Sequence, residues 1–139
     1  MERRLLQFCV ALAALVPVAG GISGVIWGAG HGLEPLSGDL DSHFRYLSGI
    51  LAAIGVGYWT TVPDIEREGE RFAMLTLLVV AGGFCRAFGM LISGAPGPLT
   101  TAALVMELVI TPLLYLWQTR VARTWAARTA PWTQGAAQR

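Results

Sequence analysis

The sequence predicts an all-α integral membrane protein, a four-helix bundle running up-down-up-down, and three observations lead there. Hydrophobic residues make up 54% of the 139-residue chain and charged ones only 14%, with a mean hydropathy of +0.55, a balance typical of chains surrounded by lipid. Four apolar runs, about 5–27, 43–62, 72–94 and 99–118, each approach the roughly 20 residues that a helix needs to cross a ~30 Å hydrocarbon core. All ten basic residues are Arg, and outside the runs they alternate: two at the N-terminus, two in the second connection, four in the tail, none in the first or third connection. Short loops rich in Lys and Arg stay in the cytoplasm, so both termini are expected there. A net charge of +1 without a basic tract argues against a nucleic-acid partner.

The first run carries no charge over 23 residues and ends at Trp27, a residue favoured at the membrane interface. A secretory signal peptide is the rival reading, because Arg3 and Arg4 precede the run and Val18-Ala19-Gly20 offers small residues for cleavage. The run is longer than a usual signal core, so a retained span is expected. Gly20, Gly24 and Gly28 recur every four residues, a ridge that lets another helix approach closely. Residues 28–42 hold Gly, Pro, His, Glu34, Asp39 and Asp41 without Arg, which reads as an exposed acidic loop on the outer side.

Asp41-Ser42 is expected to cap the second helix, which Pro63 closes, and Gly49, Ala53 and Gly57 give it a small-residue ridge of its own. The link 63–71 places four acids ahead of the third helix, where they favour the positive end of its dipole. The third helix carries Gly82 and Gly83 as packing positions, and Ala95-Pro96-Gly97-Pro98 turns the chain back. The fourth helix contains Pro112. Residues 1–121 thus form the membrane domain, and 122–139 are expected to be a polar, Arg-containing cytoplasmic tail.

Two charges lie inside apolar runs. Arg86 stands eight residues before the end of the third helix and Glu107 eight residues after the start of the fourth, so each sits ~12 Å below the outer boundary. Helices joined by a short turn are antiparallel neighbours, which brings the two charges within reach of each other. An unpaired Arg near the bilayer centre costs about 2.5 to 3.5 kcal/mol even on the lenient insertion scale, so pairing is favoured. Thr111 and Gln118 share the face of Glu107, and Pro112 cannot donate to the carbonyl of Leu108, one residue from Glu107. From the outer end of the second helix, Asp41, His43, Arg45 and Tyr46 complete a candidate polar cluster with Arg86, Glu107 and Thr111.

The structural reading of Arg86 and Glu107 is a salt bridge that fixes helix register; the functional reading is a ligand, ion or proton site. His43 is most simply an interfacial imidazole. A metal set drawn from His31, Glu34, Asp39, Asp41 and His43 has suitable ligands but no recognised spacing, so no metal and no cofactor are expected. Cys9 and Cys85 lack any Cys-x-x-Cys context and read as small core residues.

Three functions compete. A non-catalytic bundle would bind a lipid or small amphiphile, or serve as an accessory subunit, with membrane lipids, copies of itself or a larger membrane complex as partners. A membrane enzyme of isomerase or hydrolase type would use Glu107 or His43 as the acid–base group. A proton or small-solute path would run through Asp41, His43, Arg86 and Glu107. The first is expected, because the residues show Gly ridges and a buried polar stripe without a nucleophile–base set.

The segment Asp41-Ser42-His43-Phe44-Arg45-Tyr46-Leu47-Ser48-Gly49, then Gly82-Gly83 before Arg86, then Glu107-Leu108-Val109 with Pro112 and Leu116-Trp117-Gln118, resembles a family of small four-helix bacterial membrane proteins. The family is catalogued as domain of unknown function 4345, and the likeness runs to about Val121. It implies a multi-pass protein of the bacterial inner membrane and carries no activity with it.

Overall fold

The computed structural model describes residues 1–29, 37–94 and 97–136, with side chains up to residue 129. The elements are α1 (Glu2–Trp27), α2 (Gly38–Thr61), α3 (Gly69–Ser93), α4 (Pro98–Val105), a π-helical turn (Met106–Ile110) and α5 (Thr111–Ala136). The last three follow one another without a break and make a fourth rod, so the described residues form four helices and no strand. Glu2–Trp27, Gly69–Ser93 and Pro98–Thr129 are long and apolar enough to cross a membrane. The second helix falls short of that standard, because Arg45, Ser48, four Gly, two Tyr, Trp59 and two Thr dilute its aliphatic residues.

The chain divides into two units, one of Gln7–Pro63 and one of Met1–Leu6 with Asp64–Arg139. The first unit is an antiparallel hairpin of α1 and α2. Its polar ties run Gln7 Nε2 to the Val62 carbonyl (2.7 Å) and Trp59 Nε1 to the Ala11 carbonyl (3.0 Å). Between and beyond these ties Val10, Ala14, Val18, Gly21 and Gly24 form the buried stripe of α1, at the three- and four-residue spacing of one helix face.

Close approach decides the glycines. A Cβ on Gly21 would lie 2.5 Å from both the Ala52 nitrogen and the Ser48 oxygen, and one on Gly55 would lie 2.6 Å from Val18 Cγ2. On Gly24 it would collide with the Ser48 hydroxyl. The contact ridge of α1 therefore runs through Gly21 and Gly24 to Gly28, whereas Gly20 comes no nearer than 4.0 Å to Leu51. On α2, Ser48 and Gly55 are buried, Gly49 only grazes Val25 at 4.0 Å, Gly57 is half-buried and Ala53 is exposed. A four-residue repeat drifts around a 3.6-residue helix, which is why the expected ridges slip off the contact line.

The second unit is also built on an antiparallel pair, α3 against the rod of α4, the π turn and α5. Phe72 is fully buried and stacks on Tyr115 at 6.5 Å. Ile65 in the preceding link is equally buried, and its carbonyl accepts a hydrogen bond from Gln118 Nε2 (2.8 Å). At this end Arg3 pairs with Glu66 (2.6 Å), Glu2 accepts from Trp117 Nε1 (3.2 Å), and Arg67 lies 4.9 Å over the Trp125 ring.

Several expected boundaries move. Helix α2 begins at Gly38 rather than His43, with Ser37 in the capping position and no side-chain cap bond, so Asp41 and Ser42 lie inside the helix. Helix α3 begins at Gly69, where the Phe72 N–H reaches the Glu68 carbonyl at 2.9 Å. The fourth rod does not stop at Gln118. It continues to Ala136, and just beyond Gln118 Val121 is buried and Trp125 lies beneath Arg67. Cys85 is exposed and Cys9 half-buried, so neither is a core thiol. Ala95, Pro96 and residues 137–139 lie outside the described residues.

Candidate functional site

The site is built on two features of the second unit, a glycine on α3 and a widened turn on the fourth rod. Pro112 has no N–H and its ring crowds the carbonyl four residues back, so a regular α-helix cannot pass through it undisturbed. The chain responds with the π turn Met106–Ile110, in which the Thr111 N–H bonds the Met106 carbonyl five residues back. Thr111 Oγ1 donates to the same carbonyl at 2.8 Å. Glu107 is the second residue of this turn.

Opposite the turn stands Gly83. A Cβ there would lie 2.7 Å from Leu108 Cδ2 and 3.0 Å from Glu107 Cβ, so only glycine lets α3 come this close. One turn further along α3, Arg86 meets Glu107 in a fork: Nε donates to Oε2 at 2.9 Å and Nη2 to Oε1 at 2.8 Å. The bidentate geometry is the strongest form of this pair, because two parallel charge-assisted bonds fix both planes. The Glu107 side chain is 15% exposed and that of Arg86 37%. Among the described residues, no protein group bonds Nη1, so both of its N–H donors and the second N–H of Nη2 stay outside the pair.

The neighbours of Arg86 on its own helix leave room beside it. Gly82 and Gly89, four residues before and three after, would each place a Cβ in open space. Gly82 is thus a gap rather than a packing contact. Ser93 is exposed, Thr76 is buried, and the buried amide of Gln118 leaves its Oε1 without a partner among the described residues.

Asp41 and Arg45 have a different task in the first unit. Helix α1 ends at Gly28, whose φ of +69° is the left-handed conformation that glycine adopts most easily. Arg45 Nη1 donates to the carbonyls of Val25 and Ile26, which are orphaned acceptors at the negative end of α1. Asp41 Oδ2 accepts from Arg45 Nε at 2.7 Å, and its Oδ1 accepts from the Ala29 N–H at 3.3 Å. The Arg45 hydrogen bond holds the Asp41 carboxyl below its ordinary value of 3.8, the Ala29 N–H acting in the same direction against a desolvation that raises it. These two residues form a C-terminal clamp on α1, and a Cβ on Gly28 would strike Asp41.

His43 and Tyr46 are both exposed, with ring centroids 6.5 Å apart. His31 and Glu34, named as metal ligands above, lie outside the described residues. The sequence reading missed the π turn and the Arg45 clamp. The first had a signal in Pro112; the second had none, since the i,i+4 spacing of Asp41 and Arg45 shows their pairing but not the carbonyls they reach.

No curated protein and no solved structure gives a significant match to the chain. The profile of one protein family, described as Domain of unknown function (DUF4345), matches residues 5–118, a span that takes in Arg86, Glu107 and Pro112 and ends at the buried Gln118, and the chain belongs to that family.

Proposed function

We propose that this chain is a non-catalytic bundle of the bacterial inner membrane that holds a lipid or small amphiphile, with the Arg86–Glu107 pair as its polar contact. The observation behind this reading is the open edge of the guanidinium. Arg86 is fixed by two bonds on one side, while its three remaining N–H donors have no protein partner among the described residues. In hydrocarbon such donors have no water to satisfy them, so an acceptor carried by a bound amphiphile lowers the free energy of the site. Gly82 and Gly89 supply the room for it. Asp41 is engaged with Arg45 and the Ala29 N–H at the end of α1, which removes one member from a proton path through Asp41, His43, Arg86 and Glu107.

Native mass spectrometry on gently purified protein tests the proposal. The wild type should carry an adduct of lipid mass, and a double variant Arg86→Leu with Glu107→Leu should lose it while remaining monodisperse. A wild type that purifies empty from several detergents contradicts the proposal.

A further inference from the structure

We infer that the group held at Arg86 is a neutral acceptor, an ester or ketone carbonyl or a hydroxyl, and not a phosphate or carboxylate; this rests on the reading of Arg86 as the polar contact for an amphiphile. Charge balance selects such an acceptor. Glu107 answers the guanidinium with both of its oxygens, Oε1 at 2.8 Å and Oε2 at 2.9 Å, so the pair as a whole is neutral. An anion brought to Nη1 would join a carboxylate on the same guanidinium and leave the group with a net charge of −1. Within an apolar span that excess charge has no water to solvate it, and the repulsion between the two anions is only weakly screened.

A neutral carbonyl or hydroxyl escapes both penalties. It accepts from the open N–H groups and leaves the pair balanced. The described residues three and four positions away on the two helices supply no second cation to alter the sum: they are Gly82, Gly83, Gly89 and Met90 around Arg86 on α3, and Ala103, Leu104, Ile110 and Thr111 around Glu107 on the fourth rod. The carboxylate of Glu107 therefore acts as a selectivity element. Without its charge, Arg86 would be left positive and would favour an anionic head.

The experiment reconstitutes the full chain in phosphatidylcholine nanodiscs doped with either a diacylglycerol or the phosphatidic acid of the same acyl chains. Native mass spectrometry then reads the lipid retained, with the Arg86→Leu, Glu107→Leu double variant as the baseline. The wild type should retain diacylglycerol at least ~5-fold over phosphatidic acid, a modest part of what an uncompensated charge costs at low dielectric. Glu107→Gln keeps the side-chain shape, removes the charge, and should reverse the preference. Equal or stronger Arg86-dependent retention of phosphatidic acid by the wild type overturns the inference while leaving amphiphile binding intact. So does an unchanged preference in Glu107→Gln. Retention of neither probe also overturns it, and the underlying reading falls only if the wild type purifies empty as well.

Discussion

Arg86 and Glu107 are held to one another by two hydrogen bonds, and that reciprocity sets what each substitution does. Arg86→Leu or Glu107→Leu alone leaves the surviving charge without its partner in an apolar span, at a cost of about 2.5 kcal/mol on the insertion scale. The double change should recover to within about 1 kcal/mol of the wild type, because replacing both members of a buried pair by apolar side chains is well tolerated. Reversible unfolding in mixed micelles measures the cycle, and additive losses would contradict the pairing. Asp41 behaves differently because it titrates outside the apolar runs. Its folded value is depressed, so its contribution is fully present above about 3.8 and fades as pH falls through the lower, folded value. Amide protection at Ala29 should therefore hold constant from neutrality down to that region and decline below it, and Asp41→Asn should abolish the dependence. The pair was legible in the sequence, since two lone charges at matching depth leave few alternatives. The clamp was not, because nothing in the residues around Arg45 specifies the carbonyls of Val25 and Ile26 as its acceptors.

At the level of elements, backbone proximity separates glycines that look alike in the sequence. Gly21→Ala forces a Cβ to 2.5 Å from two backbone atoms of α2, which cannot rotate away, and should open the α1–α2 hairpin at a cost of about 1–3 kcal/mol. Gly20→Ala, whose nearest neighbour is 4.0 Å away, should be close to neutral. The same contrast holds on α3, where Gly83→Ala should weaken packing against the π turn and Gly82→Ala should not. Thermal melts of the four variants in one detergent check both pairs, and equal shifts within a pair would contradict the contact lines. Helix number and approximate position followed from the four apolar runs, each close to the length of a membrane-crossing helix. Helix ends did not. Beyond Gln118, α5 buries Val121 and places Trp125 under Arg67, long-range contacts that a polar composition conceals. The π turn depends on how the chain resolves Pro112, which the sequence poses as a problem without giving the answer.

Among the described residues, many large apolar side chains are exposed. Phe84, Phe88, Leu91 and Ile92 on α3 are all exposed, as suits a surface covered by acyl chains. The Arg residues outside the apolar runs lie at the N-terminus, in the link after α2 and beyond Gln118, so reporter fusions at either terminus should be active only in the cytoplasm. A periplasmically active alkaline phosphatase at the C-terminus would contradict that orientation. The decisive feature inside this surface is one side chain, Arg86, held by Glu107 on one edge and open on the other. An experimental map of the protein in lipid tests it most directly. The expected result is the two-bond fork to Glu107 with elongated density whose head lies within hydrogen-bond distance of Nη1 and whose tail runs along α3. Density showing Nη1 bonded to a protein carbonyl, or a bare Nη1 edge, would contradict it.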